Sequence, residues 1–257
     1  MQPDQQNLQQ IVRHTFVAQA EHHEELGSTN DLARQYVHDD ADRSLPLLIL
    51  ADRQTAGRGR GSNRWWTGPG SLAFSLLLPE SAIPQDQTRP PMAGLAAAVA
   101  LVDTVAPLLP QQSASVHWPN DVYVGQRKLA GILIEVLADR RHVLGIGLNA
   151  NNRIDDAPPE LRQKVVALRD LVGRPVERIE LLTTIMQRLQ EQLETLVHRP
   201  EEIARRANRL CGQTGQTLTL RTGTQTTTGR CLGIAEDGGL LLETDAGRKE
   251  FYTGTLY

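Results

Sequence analysis

The chain has 257 residues, 40% of them hydrophobic and 22% charged, with a formal net charge of −3; this is ordinary for a soluble globular protein with one large domain and a small appendage, or two modest domains. An isoelectric point near 6.2 argues against general nucleic-acid binding, which shows itself as a basic domain or stripe. Cys211 and Cys231 are the two cysteines and lack C-x-x-C spacing, so neither a disulfide framework nor a cysteine zinc site is indicated; with no leader-like N-terminus and no run of eighteen apolar residues, the expectation is a cytoplasmic protein without membrane association.

Residues 1–12 are polar and glutamine-rich, a tail or a short leading helix. Gly27-Ser28-Thr29-Asn30-Asp31 signals a helix start: Ser28 and Asp31 have capping-box spacing, and Leu32, Tyr36 and Val37 supply an apolar face. The hydroxyls and free N–H groups there serve equally as a plain N-cap or as donors to a polar ligand. Residues 45–51 and 71–78 read as buried strands. Between them runs Gln54 to Trp66, with three glycines, three arginines and two adjacent tryptophans. Glycines let such a loop approach a ligand closely, and arginines offer planar forks for phosphate or carboxylate. The loop alone leaves open a mobile surface segment, a contact with single-stranded RNA, or a small-molecule anion site.

Residues 92–106 are apolar on nearly all sides and end before Pro107, as expected of a helix buried against a sheet. Strands are expected at 115–118, 129–137 and 142–148, giving an α+β fold with a mixed sheet and helices on one side. His117-Trp118-Pro119-Asn120-Asp121 places an amide and a carboxylate just past a strand, in an Asx-type turn or in a cleft. Arg127-Lys128-Leu129-Ala130-Gly131-Ile132 puts a lysine at a strand start, and Gly131 leaves room for something to approach the backbone. Asn149 ends the last core strand. A long amphipathic helix follows at 179–197, then a short basic one at 201–210. From Gly212 the texture changes to threonine, glycine and short strands at 216–221, 226–235, 240–244 and 249–252, a small all-β barrel. The expected domains are 1–212 and 213–257.

The order S-T-N, Q-T-A-G-R-G-R, W-P-N-D, R-K-L-A-G-I-L-I-E, G-I-G-x-N and a terminal barrel closely resembles the biotin protein ligases, over roughly residues 20–257. The resemblance implies a biotin/lipoate ligase-like catalytic domain and an SH3-like C-terminal barrel. It implies an enzyme that joins biotin to ATP with Mg²⁺, then passes biotin from biotinyl-5′-AMP to a lysine of a carboxylase's biotin carboxyl carrier domain. Ser28, Thr29 and Gln54 are implied to hydrogen-bond the ureido head of biotin, with Asn30 and Gly131 also in the biotin site. Gly57, Arg58, Gly59 and Arg60 are implied to wrap the carboxylate and adenylate phosphate, under Trp65. Lys128, with Arg60, is the implied catalytic cation; Asn120 and Asp121 face ATP and Mg²⁺, and Asn149 the nucleotide. His117 stands where the family usually has lysine. The residues ahead of Ser28 are too few for the family's winged helix-turn-helix, so DNA binding is not expected; a homodimer is left open. The nearest rivals are a lipoate ligase or octanoyltransferase and an RNA-binding module.

Overall fold

A computed structural model describes residues 5–39, 43–84 and 91–257. The apolar runs become the centre of a seven-stranded sheet ordered β1-β2-β3-β7-β6-β5-β4. Its strands are β1 (Gln19–Leu26), β2 (Leu47–Gln54), β3 (Leu72–Leu78), β4 (Ala114–His117), β5 (Asp121–Val124), β6 (Arg127–Val136) and β7 (His142–Leu148). Only β1 and β2 run parallel, so the sheet is mixed as expected. Strands β3 and β7 are buried along their whole length, which is why both read as continuous apolar runs rather than as alternation.

Alternate residues of β2 serve two layers. Leu48 and Leu50 join the main core, whereas Leu47 and Ile49 face a second cluster with Leu77, Val143 and Ala33. Of the helices, α1 (Gln5–His14) buries Ile11 in the main core, and α2 (Thr29–Asp39) contributes Ala33 to the second cluster. Helix α3 (Pro91–Val105) fills the main core; all its residues are buried except Asp103, which Arg206 meets at 2.7 Å. Two short helices, α4 (Pro159–Arg162) and α5 (Leu168–Val172), lead to α6 (Arg178–His198) and α7 (Pro200–Arg209), which cover α3. The large helices thus share one side, as expected, and α2 is added on the other. The stretch Pro91–Leu108 is long and apolar enough to cross a membrane by length and composition, but 78% of it is buried in the fold.

Strands β8 (Thr217–Thr222), β9 (Gln225–Ile234), β10 (Leu240–Thr244), β11 (Gly247–Phe251) and β12 (Thr255–Leu256) form an antiparallel sheet ordered β11-β10-β9-β8-β12, consistent with the expected SH3-like barrel. Its core is continuous with that of the large sheet: Leu218, Leu220, Cys231, Ile234, Leu240 and Leu242 belong to the same apolar cluster as α3. Trp118 adds a polar seam, donating its backbone N–H to Gln213 Oε1 at 2.7 Å and its indole N–H to Gly238 O at 2.9 Å.

Candidate active site

Three glycines of β6 and β7 leave bare backbone on one face of the sheet. Gly131 and Gly147 are cross-strand partners. A Cβ on Gly147 would lie 2.1 Å from the Trp65 ring and one on Gly131 3.1 Å from it, so the indole rests flat on this pair. Beside it, a Cβ on Gly145 would collide with Asn30 Oδ1 at 2.0 Å. Only glycine admits these two side chains so close to the strand.

The loop between β2 and β3 is itself ordered by a small hairpin. Gly59 N–H donates to Asn63 O at 2.9 Å, Trp65 N–H donates to Gly57 O at 3.0 Å, and Arg58 and Arg64 bridge. Gly61 turns the tip of this hairpin at φ +62°, in the left-handed region that glycine favours. Gly57 is required for closeness instead, since its Cβ would sit 2.5 Å from Trp65 O.

At one end of the site is an uncharged polar pocket. Thr29 donates its N–H and hydroxyl to Gln54 Oε1 at 2.8 and 3.2 Å, and Gln54 Nε2 donates to Thr67 Oγ1 at 3.3 Å. At the other end, two cations are tethered to adjacent residues: Arg60 donates to Asn120 Oδ1 at 3.3 Å, and Lys128 Nζ meets Asp121 Oδ2 at 2.7 Å. Arg60 also donates to Gly254 O at 3.1 Å. Burial lowers its pKa while Asp121 opposes that shift. Arg58 is placed differently, between Asp31 at 2.9 Å and Glu135 at 3.0 Å. The two ends belong to one cleft of about 570 Å³, the size of a small-molecule site.

Residues 27–151 match the biotin/lipoate A/B protein ligase family, and residues 214–256 match the biotin protein ligase C-terminal domain. A bifunctional ligase/repressor of Bacillus subtilis is 31% identical over 240 residues, covering 91% of this chain and 72% of its own. A biotin–[acetyl-CoA-carboxylase] ligase of Paracoccus denitrificans is 33% identical, covering 78% of this chain and 85% of its own. The chain belongs to the biotin protein ligase family. Among solved structures, the biotin protein ligase of Aquifex aeolicus in complex with biotin and ATP superposes with a TM-score of 0.82 at 27% identity, over 93% of this chain and 97% of that one.

The cleft of this biotin protein ligase is lined by Ser28, Thr29, Asn30, Gln54, Arg58, Gly59, Arg60, Trp65, Asn120, Asp121, Lys128, Gly131 and Asn149, every residue the sequence pointed to except Gly57. Asp31 pairs with Arg58 and, at 3.5 Å, with Arg34. Both ends of the Asn120 amide are engaged, with Ile132 O and Arg60. Asn149 is 2% exposed; its Oδ1 accepts from Asn152 at 2.9 Å and its Nδ2 donates to Lys128 O at 3.5 Å. His117 stacks on Tyr123 at 3.8 Å, and burial holds its pKa at about 4. At neutral pH it therefore supplies no charge where the family's lysine stands.

Sequence reasoning missed two contributors. Ser75 lies 2.7 Å from Thr29 Oγ1 and donates to Asn30 Oδ1 at 2.6 Å, and Glu135 binds Asn30 and Arg58. The signal for both was present: one hydroxyl within S-L-A-F-S-L-L-L and one acid within L-A-G-I-L-I-E-V-L. The barrel's likeness to the family's C-terminal domain suggested that it completes the ATP or acceptor side of the cleft, and its Gln213, Gln216, Leu218 and Gly254 to Tyr257 line the cleft. Pairing of β12 with β8 carries the C-terminal segment there, which no local pattern announces.

Proposed function

We propose that this ligase activates biotin with ATP to biotinyl-5′-AMP, releasing pyrophosphate, and transfers the biotinyl group to a lysine on the carrier domain of a biotin-dependent carboxylase. The observation that carries this reading is the layout of one cleft, with an uncharged hydrogen-bonding pocket at one end and the Arg60 and Lys128 cations on neighbouring tethers at the other. The urea of biotin is neutral and suits Ser28, Thr29 and Gln54. Its carboxylate must approach an α-phosphate against like-charge repulsion, and charge grows on the phosphoryl oxygens in the transition state. Lys128 and Arg60, already held in place by Asp121 and Asn120, stabilise that charge without reorganising. Trp65 and the glycine hairpin shield the mixed anhydride from water.

Mg²⁺ is bound in nucleotide sites by one or two carboxylates together with the phosphates. Asp121 fits, because Lys128 occupies only its Oδ2; the Asn120 amide, engaged at both ends, is a poor ligand. Among the described residues there is no cluster of three or more histidine, cysteine or acidic groups, so most of the metal's coordination falls to the phosphates. Asp121 would hold such an ion, which would supply charge neutralisation for the pyrophosphate leaving group. This reading places the protein in the cytoplasm, with residues 1–212 as the catalytic domain and 213–257 completing its ATP and acceptor side.

The test is pyrophosphate exchange into ATP with biotin, lipoate, octanoate or no acid. Exchange is expected with biotin alone; exchange driven by lipoate or octanoate, or none with biotin, overturns the proposal.

A further inference from the structure

Glu135 interrupts the apolar run of β6, and its side chain is 20% exposed. It does not line the cleft, although Leu133, two residues before it on the same strand, does. A carboxylate so placed is stable only if its neighbours answer its charge, and three donors do so. Asn30 Nδ2 donates at 2.8 Å, Arg58 Nη1 at 3.1 Å and Arg34 Nη1 at 3.5 Å. Asp31 also meets Arg58 but is 45% exposed, which makes it the weaker anchor.

The contacts of Asn30 extend this cluster into the polar pocket. Its Oδ1 accepts from Ser75, Ser75 adjoins the Thr29 hydroxyl, and Thr29 donates to Gln54. Gln54, Thr29, Ser75, Asn30, Glu135 and Arg58 thus form an unbroken polar line from the uncharged pocket to the glycine hairpin. Asn30 borders the cleft, but it is 4% exposed and both ends of its amide are used within this line. Gly145 is what lets it lie there.

We infer that Glu135 is a positioning residue for the ligase reaction, clamping Arg58 of the hairpin to Asn30 of the polar pocket so that the hairpin is seated before the ligand arrives. It touches no reacting atom and acts through those two side chains. Seating the hairpin in advance removes an ordering cost from binding and slows escape of the adenylate. The inference rests on the reading of the site as a biotin and ATP site.

The test compares Glu135→Gln, Glu135→Asp, Arg58→Gln and the double variant Glu135→Gln/Arg58→Gln with the wild type. Glu135→Gln keeps an acceptor for Asn30 but loses the charge that holds Arg58. Its KM for biotin in pyrophosphate exchange is expected to rise about tenfold, with kcat within about threefold of wild type, because a charged hydrogen bond is lost outside the reacting centre. Biotinylation of bystander lysines on an unrelated protein is expected to rise with it. Glu135→Asp restores most of the KM, and the double variant is no worse than Arg58→Gln alone, since both changes break one contact. An unchanged KM with a lowered Tm, or additive effects in the double variant, overturns the inference and leaves Glu135 a packing residue. If Glu135→Gln does not fold, Arg58→Gln decides: its KM must rise as described, and an unchanged value overturns the inference. Wild-type protein without biotin-dependent exchange refutes the functional reading instead.

Discussion

His117 directly precedes the W-P-N-D turn and Lys128 follows it at the start of β6: Lys128 brings a cation to the cleft, whereas His117 brings no charge at neutral pH. Replacing Lys128 with alanine removes the ammonium and leaves Asp121 without its 2.7 Å partner. Pyrophosphate exchange is expected to fall about a hundredfold, the ~3 kcal/mol typical of one preorganised donor, with circular dichroism unchanged. A variant that keeps more than about a tenth of wild-type exchange removes Lys128 from the catalytic role. His117 acts on stability. The unfolded chain takes up a proton as pH falls through 6.5, whereas the buried imidazole refuses it until about 4. Its contribution is therefore complete above pH 6.5 and is lost as pH falls from 6.5 toward 4. Between pH 7.5 and pH 5 it amounts to about 2 kcal/mol. Denaturant unfolding at the two pH values should show this loss, and His117→Gln should reduce it; an equal loss in the variant refutes the assignment. At this scale most of the cleft's polar lining was legible in the sequence, because it consists of polar groups in unusual places. Ser75 and Glu135 were passed over because each was read only as part of its strand's apolar run, so its partners on α2 and the hairpin went unseen.

The hairpin between β2 and β3 adds a further link between the two sheets, since Arg60 reaches both Asn120 and Gly254 O. Arg60→Gly is expected to loosen that link while leaving Lys128 in place, so adenylate still forms but escapes. Bystander biotinylation should rise; if it stays at the wild-type level while adenylate is made, Arg60 does not retain the intermediate. Elements were legible where their own residues dictate burial, as in β2, β3, β7, α3 and α6. Strand β1 was not: Gln19 to Leu26 is mostly charged or polar, and it is a strand because β2 pairs with it at the sheet edge. The short β5 was not among the expected strands, and its identity comes from lying between β4 and β6. Both cases are tertiary pairing overriding a weak local pattern.

For the whole molecule, the decisive feature is the single apolar cluster that runs from the large sheet through α3 into the barrel. The sequence's change of texture near Gly212 marked the barrel, and the shortness of residues 213–257 pointed to docking on the catalytic domain, but no local pattern showed that Trp118 is held from both Gln213 and Gly238. Truncation after Gly212 is expected to leave a folded chain with a lower Tm, because β10 leucines and Cys231 leave the core. Calorimetry should still detect biotin binding, as the polar pocket lies on β2, α2 and β3, while exchange with ATP drops along with the lost wall of the cleft. Full activity in the truncated chain refutes a role for the barrel, and failure to fold refutes an independent unit ending at 212.

Burial of α3 also has a consequence for the order of events during synthesis. This helix is made well before α6 and α7, which cover it, and before the barrel that adjoins Met92. Until residues 178–209 have left the ribosome, the nascent chain carries an apolar segment with the length and composition of a membrane span, and only the sheet, not α6 and α7, is there to lay over it. Vectorial folding of the sheet cannot relieve this alone, so the interval is one in which the chain depends on transient protection from aggregation.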